Sequence, residues 1–302
     1  MNQTTGESKM KTVKAIVLML LGLSAVTAMA LPSGDGAATT VKDSTIMNTN
    51  KNVINTATDG STVNSGIQAR GSTIKGSTLI NENTNVINTA INRSKINSGI
   101  EANNATIKDS TLMNTNKNVI NTAKDGSTIN SGISANNATI KNSTVINTNE
   151  NVINTATNKS TINSGVQADN ATIKDSTIMN TNKNVINTAT DQSTVNSGVN
   201  AKDATIKSST LMNTNENVIN TATNKSTINS GINAEGATIK DSTLMNTNKN
   251  VINTATNQST INSGINAKGA TIKGSTITND NTNVINTATN KSSVNSGVDL
   301  GQ

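Results

Sequence analysis

Lys75 recurs at Lys108, Lys141, Lys174, Lys207, Lys240 and Lys273, each 33 residues from the last. A row of fixed ammonium groups suits an anionic polymer or surface, held by attraction that salt screens. Thr56 and Thr58 recur as a T-x-T motif, seen again at Thr155 and Thr157 and at Thr188 and Thr190. Hydroxyls in a row offer a polar, uncharged face. Asn55 returns at Asn88, Asn121, Asn154, Asn187, Asn220, Asn253 and Asn286. Stacked amides hydrogen-bond from one copy to the next, as in cross-β ladders. Met47 leads an apolar set with Ile54, Ile87, Ile120, Ile153, Ile186, Ile219, Ile252 and Ile285. If these point outward, they form a stripe of the kind that marks an interface.

Much other chemistry is excluded. The chain has no Cys, His, Trp, Tyr or Phe. It therefore has no ordinary zinc, haem or iron–sulfur ligand set, no His-based nucleophile dyad and no aromatic platform for bases or sugars. The acids sit at positions that vary between copies, such as Glu82, Glu150 and Glu216 or Asp109, Asp175 and Asp241. No fixed pair is available for general acid–base work. The calcium-binding nonapeptide is absent, and Asp59-Gly60 reads as a turn. No enzymatic activity, metal or cofactor is expected. The net charge of +6 is too mild for a nucleic-acid binder.

These residues are carried by one repeat, eight times. Copies begin at Ser44, Ser77, Ser110, Ser143, Ser176, Ser209, Ser242 and Ser275, with no insertion. A fixed period in this range means a solenoid, propeller or array. Thr, Ile, Val and Asn dominate, which favours strands and turns over the helices of a 33-residue ankyrin unit. Within a copy the apolar period is two. Val63, Ser65, Ile67 and Ala69 are expected inside and Thr62, Asn64, Gly66 and Gln68 outside. Val53, Asn55 and Ala57 make a second inward set, and Ile74 and Ile46 belong to two more. Positions 51, 59–60, 70–71 and 76 vary freely and read as solvated corners.

Each repeat divides into halves that both open Ser-Thr-aliphatic, so two short coils per repeat are expected, about 16 coils and roughly 75 Å in all. Charge argues the same way. One coil per repeat would stack the Lys75 series about 4.8 Å apart, where like charges repel. In the two-coil reading, Thr73 and Lys75 interrupt the Thr56 face. The doubled apolar pairs Ile46-Met47 and Val53-Ile54 leave two readings open. Either Met47 and Ile54 face out, or a bend at Asn52 tucks both residues of a pair inside.

The N-terminus reads as an address. Lys11 and Lys14 precede the apolar run AIVLMLLG at 15–22, and Ala28-Met29-Ala30 is an A-x-A cleavage pattern. A Sec signal peptide cut after Ala30 is expected, then a linker at 31–43 and the repeats at 44–302. The run is too short to span a bilayer, so no membrane span should remain after cleavage. No sorting signal or polar cap is evident after the last copy, which suggests a released chain with ends open to stacking.

A Sec signal followed by uninterrupted Asn- and Thr-rich strand-forming repeats resembles the secreted subunits of bacterial functional amyloids of the curlin and Fap type. Curlin repeats are shorter and carry paired Gln and an aromatic; here Asn takes the ladder role. Filamentous adhesins of the hemagglutinin type are the next resemblance, and the Thr ladder resembles the ice-binding faces of some antifreeze β-solenoids. The expectation is an all-β parallel β-solenoid. It would be a secreted structural or adhesive protein that self-assembles into filaments or extracellular matrix. The alternatives are an ice binder using the Thr ladder, and a surface adhesin whose Lys ladder holds an anionic cell-surface or polysaccharide partner.

Overall fold

The computed structural model describes residues 29–30 and 40–301, and every regular element in them is a strand. Chain order begins with β1 (Met29–Ala30), β2 (Thr40–Lys42), β3 (Thr45–Lys51), β4 (Ile54–Ala57), β5 (Thr62–Asn64), β6 (Ile67–Gln68), β7 (Thr73–Lys75) and β8 (Thr78–Ile91). In the second copy, β3 and β4 have fused into the single 14-residue β8, and the next copy repeats the set with Thr111–Lys124, Thr128–Asn130, Ile133–Ser134 and Thr139–Lys141. Each strand pairs in parallel with its equivalent 33 residues on: Ile67 with Ile100, Ile74 with Ile107, Leu79 with Leu112 and Ile96 with Ile129. Four parallel sheets of nine, eight, nine and eight strands result. The fold is a parallel β-solenoid.

The pitch differs from expectation. A coil is a whole repeat, so there are eight coils spanning roughly 38 Å, half the expected number. The two halves share only a three-residue opening and are not equivalent. One is a long strand. The other breaks at Ser65-Gly66, at 69–72 and again at 76, and folds back as the opposite wall. The halves also need each other: the amides of Asn48 and Asn50 both donate to the Ser65 carbonyl, at 2.6 and 2.8 Å. The feared lysine stacking is present, with Lys75 directly beside Lys108 and Lys108 beside Lys141. It is tolerated because ammonium groups that reach water from this half-exposed column repel by only about 1 kcal/mol at 4 Å in water. The ladder hydrogen bonds of a 33-residue coil outweigh that.

Turns follow residue type. Asp59, Asn92, Asp125, Asn158 and Asn224 occupy the left-handed region at φ of 53–57°, which Asn and Asp tolerate best after Gly. The Gly66 column has a different reason. A Cβ on Gly99 would sit inside contact distance of the Gly132 backbone in the next coil. There the Asn130 carbonyl accepts the N–H groups of both Ser98 and Gly99, at 2.7 and 3.0 Å.

The interior is part apolar and part amide. Ile67, Ala69, Ile74 and Leu79 and their equivalents form the largest apolar stack. Ala57 packs with the Ile96 column, and Val53 and its equivalents make a narrow third stack between Asn columns. The expected linker is shorter than 31–43. Thr40–Lys42 form β2 and pair with Thr73–Lys75, because TVKDS here reads as the TIKGS of the repeat. Met29–Ala30, at the expected cleavage site, pair with Ile67–Gln68. The rest of the signal segment, 1–28, lies outside the described residues.

Candidate functional site

The broadest surface is the outer face of the sheet built from β3, β4, β8 and their equivalents. Its side chains alternate, and the alternation changes phase once, at Asn52. That residue has φ of 55°, as do Asn85, Asn118 and Asn151 within a few degrees. The left-handed step turns both Lys51 and Asn52 outward, then returns Val53, Asn55 and Ala57 to the inside. The bend at Asn52 is therefore real, but it does not tuck the doubled apolar pairs inside. Ile54 is 72% exposed and Ile87 39%, while Val86 is fully buried. Ile120, Ile153, Ile186, Ile219, Ile252 and Ile285 continue the exposed column, each directly paired with the last. Met47 is exposed likewise, and its column continues with Ile80, Met113 and Ile146.

Asn55 and its equivalents through Asn253 are buried inside the coil. Asn88 donates to Asn121 Oδ1 and Asn121 to Asn154 Oδ1, both at 2.8 Å. Asn154, Asn187, Asn220, Asn253 and Asn286 continue the ladder. Two more interior ladders run through the Asn48 and Asn50 columns. The Asn52 ladder is outside and runs with opposite polarity, Asn85 donating to Asn52 Oδ1. Asn64 was expected outside. Its equivalents Asn97 and Asn130 are buried, because each amide turns back to the preceding Asn and to a carbonyl one coil below, Ile67 for Asn97.

Thr56 and Thr58 face out beside the isoleucines, and Thr155, Thr157, Thr188 and Thr190 are half-buried there by their neighbours. With one coil per repeat, Thr73 and Lys75 lie on another sheet and do not interrupt this face. Lys75, Lys108, Lys141, Lys174, Lys207, Lys240 and Lys273 form an unbroken column there, extended by Lys42. An acid follows every second lysine. Lys42 lies 3.8 Å from Asp43 and Lys174 lies 4.0 Å from Asp175.

Two carboxyls are displaced from ordinary values. Burial would raise Glu101, but a 2.6 Å hydrogen bond from Arg70 and the charges of Lys95 and Arg70 outweigh it and hold its pKa down. Asp169 is pushed up by burial, only partly offset by hydrogen bonds from the Gln167 amide and the Lys202 N–H. The charge of Asp203 adds to the upward push on Asp169. Among the described residues no group of three metal-ligating side chains comes together.

No family model and no curated protein matches the sequence. Solved structures that it is similar to include the plasmid-mediated fluoroquinolone resistance protein QnrB1, at 9% identity over 74% of this chain and 91% of that one, with a TM-score of 0.20. Another is HetL, a pentapeptide repeat protein involved in heterocyst differentiation regulation in the cyanobacterium Nostoc, at 9% identity over 82% and 86%, TM-score 0.18. A third is the Streptococcus pneumoniae surface protein and adhesin PfbA, at 10% identity over 80% and 91%, TM-score 0.19. Likenesses this distant carry no argument. The strand pairing itself defines a tandem-repeat β-solenoid.

Proposed function

We propose that this is a secreted structural repeat protein whose copies associate side by side through the outer face of the long sheet. The carrying observation is the unbroken column from Ile54 to Ile285, exposed in every coil. Eight aligned isoleucines on an extended β-face are far more than scattered surface apolar residues. Burying the exposed part of each is worth roughly 1 kcal/mol, so a column of eight supports association. In this reading the chain performs no catalysis, needs no cofactor and has itself as partner, assembling into filaments or matrix after export. Sedimentation and electron microscopy of the purified chain test it. Oligomers that grow with concentration are expected, and the variant Ile120→Asn, Ile153→Asn, Ile186→Asn, Ile219→Asn should stay monomeric. A wild-type chain that remains monomeric at high concentration overturns the reading.

One observation favours a second reading, ice binding. The Thr56 column is Thr in all eight coils, and coils four to eight carry T-x-T without a break. The hydroxyl grid has steps of about 4.8 Å along the axis and about 7 Å along the strand. An ice binder should show thermal hysteresis as a monomer, and Thr188→Lys should abolish it.

A further inference from the structure

The outer face also carries charge, and the register sorts it. The column of Thr49 reads Thr49, Glu82, Thr115, Thr148, Thr181, Thr214, Thr247 and Asp280. The column of Lys51 beside it reads Lys51, Thr84, Lys117, Glu150, Lys183, Glu216, Lys249 and Thr282. Taken together, each coil holds one charge in this band, and the sign alternates without exception. Lysines occupy the odd coils; Glu82, Glu150, Glu216 and Asp280 occupy the even ones. Where Thr replaces the Lys51-column charge, in coils two and eight, an acid appears two residues earlier. The alternation serves the chain itself, since opposite charges stack at 4.0 Å for Lys117 with Glu150 and 3.9 Å for Lys249 with Glu216. It also bears on which way a second copy would fit.

We propose that two copies pair face to face across this sheet in antiparallel orientation, about a two-fold axis along the strand direction, so that odd coils of one copy oppose even coils of the other. This rests on the reading that the isoleucine face is an association surface, and adds its geometry. Such an axis sets every column against itself, so Ile120 meets the Ile219 column position and the isoleucine stripes coincide. Full overlap sets coil one opposite coil eight. Lys117 then faces Glu216, Glu150 faces Lys183, and Lys51 and Lys249 lie diagonal to Asp280 and Glu82 of the other copy. In a parallel pair, with its two-fold axis along the solenoid, the strand direction reverses, so the charged band meets a neutral column, or, where the axis runs through the band itself, each coil meets a charge of its own sign. Neither arrangement gives the charge matching of the antiparallel pair. Charge here selects orientation more than it adds affinity. The face measures roughly 45 by 38 Å from the strand length and coil number. That exceeds the ~800 Å² per partner of a stable interface.

The chain has no cysteine, so a single nitroxide label on Thr56→Cys reports the geometry by spin–spin distance in the associated state. Antiparallel full overlap separates the two labels by seven coil steps, about 35 Å. A parallel pair places them within roughly 20 Å. Charge supplies a second readout that does not depend on one variant folding perfectly. Glu150→Lys with Glu216→Lys makes coils three to six all basic; Lys117→Glu with Lys183→Glu makes them all acidic. Each double variant should self-associate at least tenfold more weakly than wild type, and an equimolar mixture should recover the loss. A label distance under 20 Å, or double variants that associate as tightly as wild type, overturns the antiparallel pairing while leaving lateral association standing. Absence of any association overturns both.

Discussion

Asn116 donates one amide hydrogen across the coil to the Ser131 carbonyl, at 2.8 Å, and the other up the stack to Asn149 Oδ1, also at 2.8 Å. Both donors of a fully buried amide are thus used, one within the coil and one between coils. The same pair of bonds recurs at Asn83, Asn149, Asn182, Asn215 and Asn248. A buried amide left unpaired costs about 1–3 kcal/mol, so this interior is stable only when every coil keeps register with the next.

The first prediction follows for the neighbouring ladder. Replacing Asn55, Asn88 and Asn121 together with Leu removes three rungs, strands Asn154 Oδ1 without its donor, and crowds the narrow stack beside Val86 and Val119. A loss of about 1–3 kcal/mol per site is expected, seen as a lower melting temperature and as fast hydrogen exchange through the first four coils. If the triple variant melts like the parent, the amide ladder does not hold the interior.

A second prediction isolates backbone approach from side-chain bonding. At Gly132 a Cβ would collide with the Gly165 carbonyl and the Ser164 backbone, neither of which is a flexible side-chain end. Gly132→Ala should therefore destabilise by at least 1–3 kcal/mol. Gly126→Ala is the control for steric crowding, since its Cβ would meet only the Arg93 side chain at 3.6 Å; its cost comes from φ of 74° alone. Chemical denaturation of both variants checks this. Equal losses would mean that crowding at Gly132 is relieved by a shift of the coil.

Much of this organisation is visible in residue pattern, for a physical reason. In a stack, each position meets only its own equivalents, so a column that needs one chemistry keeps it: Gly66 for close approach, Asn55 for the ladder, Ile67 for the core. Period-two alternation then sorts inside from outside along each segment. The pitch was harder to read. Two halves opening Ser-Thr-aliphatic suggest equivalence, and only the opposed placement of Asn48 and Ser65 shows that they are two walls of one coil. Repulsion within the Lys75 column also points to the wider two-coil spacing, yet the stacked lysines are accommodated. The burial of the Asn97 column is not legible in the pattern, because its amide turns sideways to the Ile67 carbonyl, which a strict in–out alternation does not anticipate. The alternating charges of Lys117, Glu150 and Lys183 pass for free variation until one coil is set upon the next.

The third prediction concerns acid. Glu101 has a pKa below its usual value, so it binds its proton less readily folded than unfolded. The stability it contributes is present above the unfolded carboxylate pKa and is lost as pH falls through the lowered folded value. Asp169, pushed upward, works in the opposite sense: its burial penalty applies above its raised pKa and is relieved as pH falls. Glu101→Gln should therefore lower stability at pH 7 by about 1–2 kcal/mol, discounting for the half-exposed Arg70 partner. As pH falls through the lowered folded value, the variant and the parent should converge. Melting curves across pH test it; a constant difference at every pH would mean that Glu101 acts by packing, not by charge.

The last prediction returns to the lysine column. Lys42, Lys108, Lys174 and Lys240 are each followed by Asp, whereas Lys75, Lys141, Lys207 and Lys273 are followed by Gly76, Asn142, Ser208 and Gly274. The second group has like-charged neighbours directly above or below and no acid of its own. Like charges so placed, half-buried at Lys141 and exposed at Lys207, cost a few tenths of a kcal/mol each, and the cost is screened once the Debye length shrinks to about 3 Å at 1 M salt. Lys141→Gln with Lys207→Gln should therefore raise the melting temperature at 10 mM salt, and the gain should vanish at 1 M. Lys108→Gln with Lys174→Gln should gain less, because Asp175 loses the ammonium 4.0 Å away and Asp109 loses the positive charge next to it in the chain. Thermal melts of the two double variants at both salt concentrations decide the point. If the first pair is no more stable than the parent at low salt, the lysine column is not under electrostatic strain, and repulsion played no part in setting the pattern of acids beside it.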